Sequence, residues 1–499
     1  MTDPLWTSKE AEAATGGRAT RPWKATGVSI DSRSIAKGDL FVALADVRDG
    51  HDFVAAALEA GAAAAMVSRI PEGVPEGAPL LVVDDVLEGL RGLAAAARAR
   101  GFAKVVAVTG SVGKTGVKEM LRACFAAQGA VHAAEKSFNN HWGVPLTLAR
   151  MPRHTDFAVI EIGMNHPGEI RPLVALARPH AAIVTTVAPA HIGNFRDETE
   201  IAFAKAEIFE GIAPGGVAIL NRDNDHYERL ARRARRVGVR RILRFGAAPR
   251  CNARLIGASI GPRGNTTVEA RLNGKKVHYK LGAPGRHLAM NSLSALLAVQ
   301  AVGADVALAA LALSSWTAPD GRGARWMVHL RPAHGGPSDP EADGTVELID
   351  ESYNANPVSM EAALEVLAAA RPVDGVGRKR RGRRVAILGD MLELGPEEAA
   401  IHAALAALPA MAEVDEIHCV GPRMKALHKA LPAGRRGKWR KTSEEMAAEL
   451  HRLLDAGDVV MVKGSLGARM ARVIEGVKRL GDPVPVGGET GEDMGEEAI

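Results

Sequence analysis

The chain has 499 residues, of which 47% are hydrophobic and 24% charged, with a formal net charge of +5. This composition is typical of a globular protein, and the length is sufficient for two to four domains. No apolar run approaches the roughly 18 residues of a membrane span, no secretory signal is visible, and three scattered cysteines favour neither a disulfide framework nor a zinc site, so we expect a cytoplasmic protein without membrane insertion.

The positive net charge suits anionic ligands, and nucleic acid is one candidate. The densest basic run, residues 378–384, has no interleaved aromatic residues and lies between a predicted helix and a predicted strand. We interpret it as a solvated loop, and we do not expect a nucleic-acid partner.

The first predicted domain spans residues 1–101. Its pattern predicts strands at 28–31, 40–44 and 63–67, with a helix at 52–60 between the last two. This alternation indicates a small α/β domain.

The second predicted domain spans residues 102–318 and alternates strands with helices. The predicted strands are 105–108, 157–162 and 217–220, the predicted helices are 116–128, 199–212 and 289–302, and a β-rich stretch covers 253–281. Such alternation predicts a mainly parallel sheet covered by helices, as in P-loop ATPases. A stretch with proline and glycine at 317–323 indicates a linker.

The third predicted domain spans residues 319–482 and has the pattern of a Rossmann-like, doubly wound sheet. Strands are expected at 345–349, 384–388, 415–420 and 458–462, alternating with helices at 359–370, 397–411 and 443–455. The insertion 332–344 and the tail after Gly481 are rich in Gly, Pro and Glu, so we expect both to be mobile, with 483–499 as a disordered tail.

The most informative motif is the run Lys-Val-Val-Ala-Val-Thr-Gly-Ser-Val-Gly-Lys-Thr at 104–115, a strand that breaks into a glycine loop and then a helix. Gly110 stands only three residues before Gly113, so the loop is shorter than the common P-loop. An incidental glycine turn is the alternative, but strand, loop, Gly-Lys-Thr and helix follow in the required order, and we predict ATP binding with Mg²⁺. The residues of this phosphate cradle are Thr109, Gly110, Ser111, Val112, Gly113, Lys114 and Thr115.

Three further residues stand where ligands collect in parallel sheets, or close by. Glu161 ends an apolar strand, where P-loop enzymes keep a carboxylate for Mg²⁺, although a capping carboxylate is the alternative. His191 closes the apolar run 183–191, and Lys205 lies on a predicted helix. Taken singly, His191 is more often an ordinary loop histidine than a ligand, and Lys205 is more often a solvated charge on a helix.

Taken together, these motifs resemble the Mur ligase family of ATP-dependent peptide-bond-forming enzymes. The shortened loop at 109–115 matches that family's P-loop, and the resemblance extends from about residue 29 to residue 479. The other matching motifs, in chain order, are Asn-Asn-His-Trp-Gly-Val-Pro at 139–145, Glu161, His191, Lys205, Gly-Arg-His-Leu-Ala-Met-Asn at 285–291 and Lys-Gly-Ser at 463–465.

The resemblance implies that ATP converts a peptide carboxylate to an acyl phosphate, which an incoming amine then attacks. It implies catalytic roles for Lys114, Glu161, His191 and Lys205, with one Mg²⁺ near Thr115 and Glu161 and a second near Glu161, His191 and a carbamate on Lys205. It also assigns Asn140, Asn291 and Arg325 to the ATP site; for Asn291, a polar residue at a helix start is the alternative.

Within the family, the stretches 349–357 and 388–395 are similar to those of members that add D-alanyl-D-alanine to UDP-N-acetylmuramoyl-tripeptide. The resemblance implies that Ser32 and Arg33 anchor the uridine diphosphate, an exposed arginine without a ligand being the alternative. The dipeptide site it implies contains Asp350, Tyr353, Asn354, Asn356, Lys463 and Ser465. Turn formation is an additional explanation for the asparagines, and Glu351 stands where relatives often have aspartate.

Other functions are disfavoured by particular features. A diaminopimelate- or lysine-adding ligase of the same fold would carry Asp-Asn-Pro-Arg in the third domain, and a folylpolyglutamate synthase would lack the first domain. A P-loop ATPase or motor would leave Glu161, His191 and Lys205 without a joint purpose, and nucleic-acid binding depends on net charge alone. We expect a monomer whose domains close to bring ATP and amine together.

Overall fold

The computed structural model describes residues 3–134, 137–189, 192–261, 264–331 and 344–486. These residues form three successive α/β units, each around a mainly parallel sheet, which confirms the predicted fold class. Within these ranges, none of the helices combines the length and apolarity needed to cross a bilayer.

The first unit has a five-stranded sheet in the order β2-β7-β6-β5-β4, parallel except for β2. Its strands are β1 (Trp6–Thr7), β2 (Arg18–Ala19), β3 (Lys24–Ala25), β4 (Gly27–Ser29), β5 (Asp39–Val42), β6 (Ala64–Val67) and β7 (Leu80–Val82). Its helices are α1 (Ser8–Thr15), α2 (Val54–Glu59) and α3 (Val86–Arg100). Leu40 and Phe41 of β5 point to opposite faces and join separate hydrophobic cores, as strand alternation requires.

The second unit has nine strands in the order β16-β15-β14-β13-β12-β11-β8-β10-β9. Its strands are β8 (Lys104–Thr109), β9 (Val131–Ala133), β10 (Phe157–Glu161), β11 (Ala181–Val184), β12 (Val217–Asn221), β13 (Arg241–Gly246), β14 (Ala253–Ile260), β15 (Thr266–Leu272) and β16 (Lys275–Leu281). Its helices are α4 (Lys114–Ala126), α5 (Gly143–Ala149), α6 (Ile170–Ala177), α7 (Glu198–Ala206), α8 (Tyr227–Arg236), α9 (Arg286–Ala301) and α10 (Val306–Ala312).

Strand β8 lies inside this sheet between β11 and β10, and both of its faces are covered. Val106 and Val108 pack against α4 and α9, whereas Val105 and Ala107 pack towards α6 and α7. The loop after β8 therefore leaves the sheet at its carboxyl edge, where parallel sheets bind ligands.

The third unit has seven strands in the order β21-β20-β19-β22-β18-β17-β23, of which β17 and β23 are antiparallel to their neighbours. Its strands are β17 (Ala324–Leu330), β18 (Thr345–Glu351), β19 (Arg384–Gly389), β20 (Glu416–Val420), β21 (Arg436–Arg440), β22 (Val459–Lys463) and β23 (Gly481–Pro485). Its helices are α11 (Pro357–Ala368), α12 (Glu398–Ala404), α13 (Lys425–Ala430), α14 (Ser443–Ala447), α15 (Leu450–Leu453) and α16 (Ala471–Lys478).

The prediction of a mobile tail after Gly481 is wrong for its first residues. Gly481–Pro485 pairs with β17, and Asp482 forms an ion pair with Arg331 at 2.9 Å. The prolines there are compatible with a strand because β23 is an edge strand. Residues 487–499 and 332–343, on which the other mobility predictions fall, lie outside the described residues.

Several predicted helices are shorter than expected. The helix predicted at 199–212 ends as α7 and continues as a 3₁₀ helix, Glu207–Gly211. The helix predicted at 397–411 ends as α12 and continues as two 3₁₀ turns, because Pro409 forces Leu408 into an extended conformation with ψ of 135°. The helix predicted at 443–455 is divided into α14 and α15.

The first two units share a hydrophobic core across their boundary. Leu146 and Ala149 of α5 pack among the core residues of the first unit, and Trp6 Nε1 donates to the Ala149 carbonyl at 2.9 Å. Arg150 Nε adds a hydrogen bond to the Val28 carbonyl at 2.6 Å. These contacts hold the first unit against the helix that follows the 139–145 motif.

Candidate functional site

The glycine loop between β8 and α4 is closely packed at two points. Gly110 has φ of 149°, and a Cβ there would meet Thr185 Oγ1 at 1.9 Å. Gly113 has φ of 88°, and a Cβ there would meet Asn291 Nδ2 at 2.9 Å. Both positions therefore require glycine, and the side chain of Asn291 packs against the loop at Gly113. Thr109 is buried at the end of β8.

Lys114 and Thr115 open α4 beside the carboxylate of Glu161. Lys114 Nζ donates to the Gly110 carbonyl at 2.8 Å, so the lysine lies across its own loop. Glu161 is 1% exposed and accepts from Thr115 Oγ1 at 2.9 Å and from Asn139 Nδ2 at 2.7 Å. Two donors thus fix the orientation of a buried carboxylate directly under the phosphate cradle.

Lys205 of α7 is buried, at 3% exposure, and none of the described residues offers it a hydrogen bond or an ion pair. Burial lowers the pKa of Lys205 well below its usual value, and the nearby Lys114 ammonium lowers it further. The pKa of Lys114 is itself lowered by burial, an effect that Glu161 opposes. Lys205 therefore lies within electrostatic reach of the P-loop, in surroundings that disfavour its charged form. His191 lies outside the described residues.

The third unit contributes a buried lysine of its own. Lys463, at the carboxyl end of β22, donates to Glu351 Oε2 and to the Asn354 carbonyl, each at 3.0 Å. Asn356 is the N-cap of α11 and forms a capping box with Ser359, so the turn-forming explanation holds for this asparagine.

One cleft of about 510 Å³ lies between the second and third units. Of the predicted site residues, it is lined by Ser111, Val112, Gly113, Lys114, Glu161, Asn291, Tyr353, Asn354, Asn356, Lys463 and Ser465. The P-loop and the predicted dipeptide residues thus face a single space.

The other predicted site residues among those described do not line this cleft; they are Ser32, Arg33, Thr109, Gly110, Thr115, Asn140, Lys205, Arg325 and Asp350. Three of them are held by contacts away from it. Arg325 forms an ion pair with Glu347 on the neighbouring strand β18. Asp350 accepts hydrogen bonds from Ser352 and from the Gly321 N–H, so it supports the loop behind the cleft. Asn140 accepts the Gly143 N–H at 2.9 Å near the start of α5, and its neighbour Asn139 makes the contact with Glu161.

Arg322 is a cleft residue that the sequence reasoning missed. Its guanidinium lies 4.3 Å from the Tyr353 ring centroid, and Nη2 donates to Ser137 Oγ at 3.2 Å. The positive charge of Arg322 also contributes to the lowered pKa of Lys114. The sequence did carry a signal for Arg322, since it stands between two glycines of the 317–323 linker and just before strand β17.

A second cavity, of about 960 Å³, lies in the first unit where it meets α5. Ser32 and Arg33 line it, and Arg33 is held by Asp31 through bonds of 2.9 and 2.8 Å while remaining 88% exposed. Aromatic side chains that sequence reasoning missed, Phe138 and Trp142, line the same cavity. Cationic and aromatic groups together suit a phosphorylated ligand with a planar ring.

The fold and the cleft define a three-domain P-loop protein. Family models match along the chain: "Mur ligase family, catalytic domain" at residues 24–98, "Mur ligase middle domain" at 108–299 and "Mur ligase, glutamate ligase domain" at 340–466. The UDP-N-acetylmuramoyl-tripeptide–D-alanyl-D-alanine ligase of Escherichia coli strain K12 is 35% identical over 458 residues, covering 91% of this chain and 94% of that protein. The chain therefore belongs to the Mur ligase family.

Solved structures agree over nearly the whole chain. A crystal structure of MurF from Acinetobacter baumannii matches with a TM-score of 0.77 at 26% identity, covering 96% of this chain and 99% of that one. MurF ligase from Thermotoga maritima in complex with ADP matches with a TM-score of 0.72 at 25% identity, covering 91% and 97%.

Proposed function

We propose that this chain is the ATP-dependent ligase that joins D-alanyl-D-alanine to UDP-N-acetylmuramoyl-tripeptide in the synthesis of peptidoglycan precursor. The relatives that carry this activity in their names match over nearly their full length. The observation that carries the proposal is that Lys114 of the P-loop and Lys463 of the third domain line one cleft. An amine held by the third domain would meet an acid activated on the second.

ATP is the proposed phosphate donor, as the ADP complex of the Thermotoga maritima relative supports. Its phosphates would lie on the N–H groups of the loop 110–113 and at the N-terminus of α4. Lys114 would exchange the Gly110 carbonyl for phosphate oxygens, since an ammonium forms stronger hydrogen bonds with charged acceptors. Asn291, packed against Gly113, would contact the nucleoside.

Mg²⁺ fits the residues around Glu161. A hydroxyl and a carboxylate, Thr115 and Glu161, supply the oxygen donors that this ion prefers, and both face the phosphate cradle. When bound, the ion would neutralise phosphate charge during phosphoryl transfer. Lys205 has no partner among the described residues, and burial lowers its pKa, which favours the neutral amine that carbamate formation with CO₂ requires. A carbamate would turn this amine into a further oxygen ligand. His191 is a proposed ligand from the family resemblance alone.

The chemistry proceeds in two balanced steps. The terminal carboxylate of the tripeptide attacks the γ-phosphorus of ATP, giving an acyl phosphate and ADP. The neutral amine of the dipeptide then attacks the acyl carbon, and the amide forms as inorganic phosphate and a proton leave. The cations of Lys114, Arg322 and Lys463 around the cleft would offset the negative charge that both steps bring together.

The three domains divide the binding work. Residues 1–101 would hold the uridine diphosphate portion in the cavity lined by Ser32 and Arg33, and residues 102–318 would hold ATP. Residues 319–482 would hold the dipeptide through Tyr353, Asn354, Lys463 and Ser465, with Asp350 supporting the loop. Monomeric state and cytoplasmic location stay predictions.

The direct test is an incubation of the purified protein with ATP, Mg²⁺, UDP-N-acetylmuramoyl-tripeptide and D-alanyl-D-alanine. We expect phosphate release and a product of the added mass only when all four are present, and neither with the Lys114→Met variant. L-alanyl-L-alanine is the matched control substrate and should give no product. Phosphate release independent of the dipeptide, or product formation with diaminopimelate in its place, would contradict the proposal.

A further inference from the structure

Helix α8 carries an arginine face, made of Arg229, Arg232, Arg235 and Arg236, and Arg240 and Arg241 follow in the turn after it and at the start of β13. All six side chains are exposed, and among the described residues none of them forms an ion pair with a carboxylate. The opposite side of the helix is fully used in packing, because Tyr227, Leu230, Ala231 and Ala234 are buried at helical spacing.

Two acidic side chains near this face, Glu210 and Glu228, are engaged elsewhere. Glu210 pairs with the half-buried Arg233 at 2.6 Å and with Arg171 at 2.6 Å. Glu228 faces Arg222 at 3.7 Å. Arg229, Arg232 and Arg236 lie three and four residues apart on one side of α8, where like charges destabilise a helix. The arginine face is therefore a concentration of positive charge that ion pairs among the described residues leave without a carboxylate partner.

We propose that the arginine face binds the surface of an anionic lipid bilayer, so that the enzyme works next to a membrane without entering it. Attraction of this kind needs only clustered Lys or Arg close to anionic headgroups. No large apolar side chain of residues 227–241 is exposed, so the face lacks the apolar and aromatic side chains that form the buried centre of a protein–protein interface. Residues 228–241 also contain no aromatic side chain for base stacking.

The face is separate from the machinery of the proposed reaction. None of its residues lines the cleft or the cavity of the first domain. Charge changes there can be made without altering a proposed catalytic or binding residue, so loss of membrane binding and loss of ligase activity are distinguishable.

The test is co-sedimentation of the full chain with vesicles of phosphatidylcholine containing phosphatidylglycerol, and with vesicles of phosphatidylcholine alone. We expect binding to the anionic vesicles only, weakened by added salt. Each arginine near an anionic surface contributes about fivefold in affinity, so the triple variant Arg229→Glu/Arg232→Glu/Arg236→Glu should bind at least about a hundredfold more weakly.

A matched control comes from three exposed arginines that are far apart in the sequence and lie outside any basic run, Arg21, Arg452 and Arg479. Reversing these three charges changes the net charge by the same amount and should leave vesicle binding nearly intact. Both triple variants should retain ligase activity in solution and the unfolding temperature of the unaltered chain. If the α8 variant folds poorly, replacement of the same three arginines by glutamine should still reduce binding.

Several outcomes would overturn the proposal. These are equal binding to neutral vesicles, no binding to anionic ones, or equal loss in the two triple variants, which would make net charge the cause. Tighter binding to polyglutamate or to duplex DNA than to anionic vesicles would assign the face to another class of partner.

Discussion

The Thr115 hydroxyl donates a 2.9 Å hydrogen bond to Glu161 Oε2, joining the first turn of α4 to the end of β10 beneath the phosphate loop. The partner strands β8 and β10 are parallel neighbours, with Val108 opposite Glu161. One pair of neighbouring strands therefore positions both the P-loop and the carboxylate of Glu161. The Thr115 hydroxyl and this carboxylate lie side by side beneath the loop.

Removing the Thr115 hydroxyl should weaken use of Mg²⁺. Thr115→Val keeps the side-chain shape but leaves Glu161 with only its Asn139 donor, so we expect the Mg²⁺ concentration for half-maximal activity to rise about 10- to 100-fold. Thr115→Ser keeps the hydroxyl and should stay close to the unaltered enzyme. Titration of phosphate release against Mg²⁺ measures the effect in both variants. Identical curves for Thr115→Val and Thr115→Ser would argue against the Thr115 hydroxyl as a Mg²⁺ ligand.

Burial of Lys205 should lower the free energy of unfolding of the protein, even though the same lysine is needed for ligase activity. Its pKa is lowered by burial and by Lys114, so over the range between that lowered pKa and the usual lysine value the unfolded chain holds a proton that the folded chain lacks. Stability in that range rises with pH. We therefore expect Lys205→Met to raise the free energy of unfolding at pH 7, by an amount that shrinks as the pH approaches about 10.

Urea unfolding of Lys205→Met and the unaltered chain at both pH values, in CO₂-free and metal-free buffer, measures this difference. Lys9→Met, at an exposed position, is the control and should show no such trend. The same Lys205→Met variant should lose ligase activity. A stability gain of equal size at both pH values would contradict a lowered pKa of Lys205.

Much of the candidate site could be predicted from the sequence, since Lys114, Glu161 and Asn291 belong to motifs that sit at strand ends or helix starts. Such positions meet at the carboxyl edge of a parallel sheet whatever the loops between them do. The loop residues were less predictable. Asn139 and Asn140 are adjacent, and only the folded backbone decides that the first faces Glu161 and the second faces Gly143.

The third domain shows a different limit. Strand β17 pairs with β18 across the insertion 332–344, and its register places Ala324 opposite Asp350. That register turns Arg325 towards Glu347 and leaves Arg322, just outside the strand, at the cleft. Local periodicity predicted β18 but not β17 or β23, because antiparallel strands added at one end of a parallel sheet depend on long-range pairing.

The pair of Lys463 and Glu351 should contribute to stability as well as to binding. Glu351→Gln would leave the buried ammonium of Lys463 without its carboxylate, and because Glu351 is partly exposed we expect a loss of about 2 kcal/mol in unfolding free energy. Adding Lys463→Met to this variant should recover most of the stability but no activity. Glu351→Asp tests the extra methylene directly, and its free energy of unfolding should lie between those of Glu351→Gln and the unaltered chain. Urea unfolding measures these stabilities. If the double variant were no more stable than Glu351→Gln, a stabilising ion pair between Lys463 and Glu351 would be contradicted.

Arg322 and Arg325 offer a matched pair, three residues apart, for deciding which guanidinium serves the reaction. Arg322 lies over Tyr353 in the cleft beside Ser137, whereas Arg325 is paired with Glu347. We expect Arg322→Ala to lower kcat by about 100-fold, as for loss of one donor to developing negative charge. Arg322→Lys should recover only part of the lost kcat, because lysine keeps the charge but loses the planar stacking.

Arg325→Ala should reduce stability more than kcat, since it leaves the partly buried Glu347 without its partner. Steady-state kinetics with each substrate varied, together with urea unfolding, separate the two effects. A larger kcat loss in Arg325→Ala than in Arg322→Ala would mean that the ion pair with Glu347 opens during catalysis and that Arg325, as the family resemblance implied, reaches the phosphates.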